Sequence, residues 1–194
     1  VKAVVPGMPV VTSSRIQTPE QAEAILGAGQ ADIIGLCRAL IADPEWPQKA
    51  LRGQSGDIRR CISCNRCWSG IVASKRLACA VNATLGFETE MPALTRAERP
   101  KRVVVIGGGP GGLEAARTAA EHGHRVTLFE KGKSLGGKLG IARHYLPYHE
   151  SSYAIDYLAR QVAALGVDVR TATEGTRERV LAEQPDAVIV ATGA

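Results

Sequence analysis

Four cysteines fall within nineteen residues of the 194-residue chain, at Cys61, Cys64, Cys67 and Cys79. Their spacing is C-x2-C-x2-C-x11-C, so three closely spaced thiolates can surround one compact inorganic centre and a fourth can close it. Iron–sulfur clusters are held by four Cys thiolates in crowded runs of this kind. We therefore predict that these four cysteines hold a 4Fe–4S cluster.

Zinc and disulfide bonds are the alternatives for the same cysteines. Structural zinc more often takes two separated C-x2-C pairs or a mixture of Cys and His, and no histidine lies near this run, since the four present are His122, His124, His144 and His149. Disulfides are disfavoured because three cysteines this close cannot all pair locally and no secretory signal is visible. A zinc centre would indicate a non-catalytic nucleotide-binding module stapled by a structural metal.

A second motif, Gly107-x-Gly109-x-x-Gly112, follows an apolar strand predicted over residues 102–106 and opens a helix. In such a fingerprint the glycines permit a tight turn, close approach of the backbone to a pyrophosphate, and close helix–strand packing. Glu130 lies 23 residues after Gly107, at the end of the next predicted strand, where an acidic group can accept hydrogen bonds from a ribose. The combination predicts a Rossmann-like site for an ADP-containing cofactor, and both FAD and NAD fit it.

The first 52 residues predict a strand–helix–strand unit. Thr18 as N-cap, Pro19 at the first helical position and Gln21 three residues after the cap predict a helix start. Apolar runs at residues 9–12 and 31–35 predict buried strands before and after this helix, and a connection of this kind joins parallel strands.

Functional loops in such units lie at the carboxyl ends of the strands. This rule places the turn of Ser13, Ser14 and Arg15 beside that of Cys37 and Arg38. Hydroxyls, backbone N–H groups and two guanidinium groups at one edge suit a phosphate. Ordinary loop capping and surface charge are the alternative.

Composition narrows the class of protein. Hydrophobic residues make up 45% and charged residues 22% of the chain, as in soluble globular proteins. The net charge of +5 is mildly basic, and no basic patch interleaved with aromatic residues indicates nucleic-acid binding. No transmembrane stretch or signal peptide is visible, so we predict a cytoplasmic protein without a membrane partner.

The chain begins on Val1 rather than Met and ends on an apolar run, residues 186–190, that predicts a buried strand. We therefore expect an internal piece of a larger polypeptide. Before that strand, Ser151 or Ser152 is predicted to cap a helix closed by Gly166.

Several segments in order resemble the trimethylamine dehydrogenase and 2,4-dienoyl-CoA reductase family of old yellow enzyme-related flavoproteins. They are Ser14-Arg15 before Thr-Pro-Glu, Ala31-Asp-Ile-Ile-Gly, Arg38-Ala-Leu-Ile-Ala-Asp-Pro44, and Asp57-Ile-Arg-Arg-Cys-Ile-Ser-Cys-Asn65. The resemblance runs over essentially the whole chain and implies an α/β fold in three parts. Residues 1–52 would be the last strands of an FMN-binding (β/α)8 barrel, 53–98 a 4Fe–4S segment and linker, and 99–194 an incomplete Rossmann-like domain for FAD or ADP.

The resemblance also implies which residues bind cofactors. The four cysteines match the family's cluster ligands one by one, and two further motifs, at residues 135–138 and 191–193, match flavin-contact motifs. The predicted cofactor-binding residues are Ser13, Ser14, Arg15, Cys37, Arg38, Gly107, Gly109, Pro110, Gly111, Gly112, Glu130, Lys131, Gly137, Lys138, Ala191, Thr192 and Gly193.

The sequence departs from the family at one position and combines features of two family branches in its cysteine spacing. Ser14 stands where glycine is common in the family. The gap of two residues between Cys64 and Cys67 is similar to the amine dehydrogenases, whereas the gap of eleven before Cys79 is similar to the dienoyl reductases. In the trimethylamine dehydrogenase branch the second nucleotide site holds ADP rather than FAD.

The implied function is that of an oxidoreductase passing electrons between NAD(P)H, FAD, a 4Fe–4S cluster and FMN, and reducing an activated C=C bond such as that of an enoyl thioester. The alternative is an amine dehydrogenase with structural ADP and an external electron acceptor. The family's proton donor and substrate-binding residues lie upstream of Val1, so no catalytic residue is predicted. We expect a small-molecule substrate, and the external acceptor and a homo-oligomer stay open.

Overall fold

The computed structural model describes residues 2–91, 95–145 and 149–193. The chain divides into two compact units, residues 1–91 and 92–194. Of the predicted linker, residues 92–94 lie outside the described residues.

The first unit contains a parallel two-stranded sheet and four α-helices among its described residues. The elements are β1 Val11–Ser13, α1 Pro19–Gly27, β2 Ile33–Gly35, α2 Arg38–Ala42, α3 Trp46–Leu51 and α4 Arg66–Val72. The predicted capping box is confirmed, because Thr18 accepts from the Gln21 amide while the Gln21 side chain accepts from the Thr18 amide. The parallel pairing of the two strands is also confirmed.

The core of this unit lies beside the sheet, among residues of α1, α2 and α3. Ile16, Ala22, Ala39, Trp46 and Ile58 form one buried cluster. The Trp46 indole N–H donates to the Gln17 carbonyl at 2.9 Å, which satisfies the polar end of a buried ring.

The strands themselves are less buried than predicted. Val11 is 60% exposed and Ile33 is 51% exposed, so the prediction of two buried strands was wrong for this part of the structure. The reason is that the described residues supply only two strands to the sheet, and their outward side chains have no neighbouring strand or helix against which to pack.

The elements of the second unit are β3 Arg102–Ile106, α5 Pro110–Glu121, β4 Arg125–Phe129, α6 Gly137–Ala142, α7 Ser151–Ala164, β5 Asp168–Arg170, α8 Arg177–Ala182 and β6 Ala187–Val190. The strands form a parallel four-stranded sheet with order β5-β4-β3-β6. This is a Rossmann-like α/β arrangement, with each described strand parallel to its neighbour.

Alternation along β3 sends side chains to both faces of the sheet. Val103 and Val105 pack with Leu113 of α5 and Leu158 of α7 in the larger core cluster. Val104 points to the other face, where it packs with Phe129 and with Val180 of α8. Helices on both faces therefore bury β3 and β4, as expected for a parallel sheet.

Two predictions in this unit were wrong. Helix α7 begins at Ser151 with Glu150 in the N-cap position and no side-chain cap, and the Ser151 hydroxyl is buried without a hydrogen-bond partner. The last strand, β6, is predicted to be buried, yet Val190 is 70% exposed, because β6 lies at the edge of the sheet.

None of the helices within the described ranges combines the length and apolar character that crossing a bilayer requires.

Candidate functional site

The cysteine loop, residues 61–79, lies in the first unit after the 3-10 turn at Ser55–Asp57 and includes helix α4. Cys61, Cys67 and Cys79 are half-buried, Cys64 is exposed, and none of these thiols is in a disulfide. Burial raises the pKa of the Cys61 thiol, and the neighbouring Cys79 and Cys64 add to that rise. Cys64 and Cys79 thus both lie within electrostatic reach of Cys61.

As it stands, the described part of the chain shows no cluster of three or more His, Cys, Asp or Glu side chains close enough to ligate a metal ion. The chemistry of the loop nevertheless fits an iron–sulfur centre, because it offers four soft thiolates and hydrogen-bond donors aimed at sulfur. The Ser63 amide donates to Cys61 Sγ at 3.4 Å. This donor offsets part of the effect of burial on the Cys61 pKa.

Ser63 also has an unusual backbone conformation and a buried hydroxyl, neither of which the sequence predicted. It lies between Cys61 and Cys64 with φ +51°, in the left-handed region that a serine adopts only at some cost. Its hydroxyl is buried and has no hydrogen-bond partner. A buried donor without an acceptor is costly, and a cluster sulfur beside the cysteines would supply that acceptor.

A buried carboxylate fixes the entry to the cysteine loop. Asp43 follows α2 and is 4% exposed. It accepts hydrogen bonds from the Arg59 amide at 2.8 Å, from Lys49 Nζ at 2.7 Å and from the Glu45 amide at 3.1 Å. The segment that leads into Cys61 is therefore tied to the end of α2.

A buried amide fixes the exit from the same loop. Asn82 comes three residues after Cys79, and its Nδ2 donates to the Ile41 carbonyl of α2 at 3.0 Å. Its Oδ1 accepts from the Thr84 hydroxyl at 2.9 Å and from Arg59 Nη1 at 3.4 Å. Asp43 and Asn82 together form what we call the polar frame, which joins both ends of the cysteine loop to α2.

The predicted phosphate turns follow the paired ends of β1 and β2. Ser13 pairs with Gly35 in the register of the sheet, so the turn at residues 14–15 and the turn at residues 37–38 leave the same edge. Ser14 has φ +87° and Arg15 has φ +55°, a conformation that favours glycine and explains why glycine suits the position of Ser14.

Arg38 makes a contact that the sequence did not predict. Its Nη1 donates to Asn65 Oδ1 at 2.9 Å. Asn65 lies between Cys64 and Cys67, so a residue of the phosphate turn reaches the cysteine loop within the same unit.

The nucleotide loop of the second unit depends on glycine at two positions. Gly107 has φ +108°, and a Cβ there would lie 2.3 Å from the Ala191 carbonyl oxygen. A Cβ on Gly112 would lie 1.8 Å from the Gly107 oxygen. These contacts bring the β3–α5 turn against Ala191 and Thr192, which follow β6 and precede Gly193.

Glu130 is held by backbone amides on two loops. Its Oε2 accepts from the Gly108 amide at 2.7 Å and its Oε1 accepts from the Gly132 amide at 2.6 Å. A carboxylate fixed in this way keeps further lone pairs for a ribose. Sequence reasoning found Glu130 but missed the two amides, because backbone donors carry no side-chain signal.

The predicted motif at residues 135–138 contacts the glycine loop. The Gly136 amide donates to the Gly108 carbonyl at 2.8 Å, and a Cβ on Gly137 would lie 3.1 Å from the Gly109 Cα. Pro110 and Gly111 form the first turn of α5, whose amino end is suited to an anion. Lys131, in the loop after β4, and Lys138, in the first turn of α6, are both exposed.

The predicted residues of this unit therefore meet at the carboxyl ends of β3, β4 and β6. A cleft of about 420 Å³ lies at the opposite edge, where Arg102, His124 and Asp168 are among its lining residues. We place the candidate nucleotide site at the carboxyl edge because the glycine turns, the acidic group and the helix amino end converge there.

Comparison with known proteins finds family models that match one segment in each unit. Residues 1–56 match the NADH:flavin oxidoreductase / NADH oxidase family. Residues 101–194 match the pyridine nucleotide-disulphide oxidoreductase family. The cysteine loop lies between the two matched segments.

Similar proteins cover nearly all of the chain. It is 44% identical to an NADH oxidase of Thermoanaerobacter brockii over 100% of its own length. It is 45% identical to a bilirubin reductase of Mediterraneibacter gnavus over 96% of its length. A solved structure of 2-naphthoyl-CoA reductase superposes with a TM-score of 0.93 at 35% identity, covering 96% of this chain and 29% of that one. The chain spans 30% of the NADH oxidase and 29% of the bilirubin reductase.

Proposed function

This chain belongs to the family of multidomain flavin oxidoreductases that includes trimethylamine dehydrogenase and 2,4-dienoyl-CoA reductase, and from that premise we propose a function for the whole protein. In this proposal it is an NAD(P)H-dependent iron–sulfur flavoprotein that reduces an activated C=C bond, such as that of an enoyl thioester. The observation that carries the proposal is the position of the cysteine loop between segments that match two flavin-related families. One chain would then carry residues that bind three redox groups, namely FMN, a 4Fe–4S cluster and FAD.

Each cofactor in this proposal would be held by its own set of residues. Arg38 and the turn at residues 13–15 would hold the FMN phosphate, the four cysteines would hold a 4Fe–4S cluster, and the loops around Glu130 would hold the ADP half of FAD. The flavins would supply hydride and single-electron chemistry, and the cluster would carry single electrons between them. The chain's own part is to bind these groups, orient them and exclude water.

The direction of the reaction is supported by the names of the relatives. One relative at 44% identity is called an NADH oxidase and one at 45% is called a reductase. The solved reductase at 35% identity is named for a CoA thioester. These names favour electrons that enter from a nicotinamide cofactor and leave on an organic substrate.

A second candidate function is oxidation of an amine, with ADP only structural and an external electron acceptor. The observation in its favour is the gap of two residues between Cys64 and Cys67, which is similar to the amine dehydrogenases. This candidate makes the same prediction for the cluster and for FMN, but a different one for the second nucleotide.

Anaerobic analysis of the purified full-length protein tests both candidates. We expect about four irons and four acid-labile sulfides per chain together with FMN. FAD in the extract, and bleaching of the flavin spectrum by NADH or NADPH, would support the reductase. ADP in the extract without NAD(P)H bleaching would favour the amine dehydrogenase. One zinc per chain, with neither sulfide nor flavin, would overturn both and leave a zinc-stapled nucleotide-binding module.

A further inference from the structure

We propose that Arg38 serves two cofactor sites at once, binding the FMN phosphate while it holds the cysteine loop through Asn65, so that FMN occupancy and the reduction potential of the cluster are coupled through one side chain. This inference rests on the proposed function, because it requires both groups to be present.

The geometry sets Arg38 between the two sites. It is the first residue of α2, directly after the turn that leaves the carboxyl end of β2. Its Nη1 donates to Asn65 Oδ1 at 2.9 Å across 27 residues of sequence. Asn65 has φ +56° and immediately precedes α4, so this hydrogen bond reaches the loop at the point where it turns between two cysteines.

The donors of Arg38 are sufficient for both roles. A guanidinium carries five N–H donors in a fixed fork and stays charged throughout the accessible pH range. Asn65 takes one of them. The remaining donors suit the oxygens of a phosphate, to which arginine binds in a bidentate manner.

The charge of Arg38 also reaches the cysteines. Asn65, to which the guanidinium donates, stands between Cys64 and Cys67, so the field of this positive charge acts on the cysteine loop. The same field favours the more negative, reduced form of a cluster at this position and thereby raises the reduction potential. A phosphate that neutralises Arg38 would reduce this effect.

Two consequences follow from this arrangement. Binding of FMN lowers the reduction potential of the cluster, because the phosphate charge offsets the guanidinium. By linkage, the protein with an oxidised cluster holds FMN more tightly than the protein with a reduced cluster, and by the same factor.

The test uses full-length protein purified anaerobically with its cluster intact. The cluster potential is measured by EPR-monitored redox titration, with FMN bound and after FMN removal, and FMN affinity is measured by flavin fluorescence. The variants are Arg38→Met, Arg38→Lys and Asn65→Leu. Arg52→Met is the matched control, since Arg52 is an exposed arginine of the same unit at the end of α3.

We expect Arg38→Met to weaken FMN binding at least about tenfold and to abolish the FMN-dependent shift in cluster potential. Arg38→Lys should restore the potential of the FMN-free protein, because it keeps the charge, without restoring the full affinity. Asn65→Leu should weaken FMN binding by roughly 2- to 10-fold and reduce the shift, because the guanidinium loses its anchor. Arg52→Met should behave as wild type.

An FMN-dependent shift of equal size in wild type and in Arg38→Met would overturn the inference, because the flavin would then act on the cluster directly. So would Asn65→Leu protein that matches Arg52→Met in both measurements. Wild-type protein that lacks FMN or the cluster would instead refute the proposed function, so the two failures are distinguishable.

Discussion

The two units hold their candidate cofactor loops by different means. The loops of the second unit lie at the carboxyl ends of parallel strands, whereas the cysteine loop of the first unit follows α3 and includes α4. In the second unit, backbone packs directly on backbone, as where Gly112 abuts the Gly107 oxygen. In the first unit, polar side chains hold the loop from a distance, as Asp43 and Asn82 do. We expect the nucleotide site of the second unit to fail when a single methyl is added. We expect the cysteine loop of the first unit to fail when a hydrogen-bond partner is removed.

The largest effect is expected for Gly112→Ala. Its Cβ would lie 1.8 Å from a backbone oxygen, so the β3–α5 turn must move, at a cost of about 3 kcal/mol or more in the free energy of unfolding. We expect loss of the bound nucleotide and a lower melting temperature. Calorimetry and analysis of released nucleotide provide the measurement.

Gly140→Ala is the matched control, because Gly140 lies in α6 and is not among the predicted cofactor-binding residues. A Cβ there would lie 3.5 Å from the Leu135 carbonyl oxygen, an ordinary contact distance, and alanine favours a helix over glycine. That variant should keep its nucleotide and equal or exceed the wild-type stability. Equal behaviour of the two alanine variants would show that backbone contact does not hold this site.

The sequence predicted local patterns better than contacts between distant residues, for a physical reason. Gly107, Gly112 and Glu130 form a local pattern around one strand–turn–helix, and Thr18 with Gln21 form another, so their spacing alone indicates the structure. The polar frame joins Asp43 to Arg59 and Asn82 to Ile41 over 16 and 41 residues. Contacts so distant leave no periodicity or spacing in the sequence.

Burial was the other property that sequence patterns could not predict. The apolar runs around Ile33 and Val190 resemble buried strands, yet these side chains are 51% and 70% exposed. Hydrophobic residues show that a strand suits an apolar surrounding, but they do not show which element supplies it.

An intermediate effect is expected when the polar frame loses its carboxylate. Asp43→Ala leaves the Arg59 amide and the Lys49 ammonium without their buried acceptor, which should cost roughly 2–4 kcal/mol in unfolding free energy. The entry to the cysteine loop should loosen, so the iron content after anaerobic reconstitution should fall.

The control for this variant is Glu45→Ala. Glu45 also reaches Lys49, at 3.7 Å, but its side chain is 73% exposed, and such pairs contribute little. Iron content and stability close to wild type are expected. If both variants retained full iron, the polar frame would have no part in forming the cluster site.

The smallest effect is expected at Ser63. Replacing it with Ala removes the buried hydroxyl, so a cluster should lose one hydrogen bond to sulfur and become harder to reduce, by about 1 kcal/mol. Ser63→Gly should lower the potential equally while relieving the backbone at φ +51°. Redox titration of both proteins measures this, and unchanged potentials in the two variants would mean that the hydroxyl does not face the cluster.

The two amides that hold Glu130 also bear on how the protein is assembled. Because the Gly108 and Gly132 amides satisfy this carboxylate within the fold itself, the acidic group carries no unmet hydrogen-bonding demand before a ligand arrives. The loop that would receive the ribose can thus take its final form during folding, and the cofactor can bind after folding is complete. We therefore expect the second unit to fold whether or not nucleotide is present at the moment of folding.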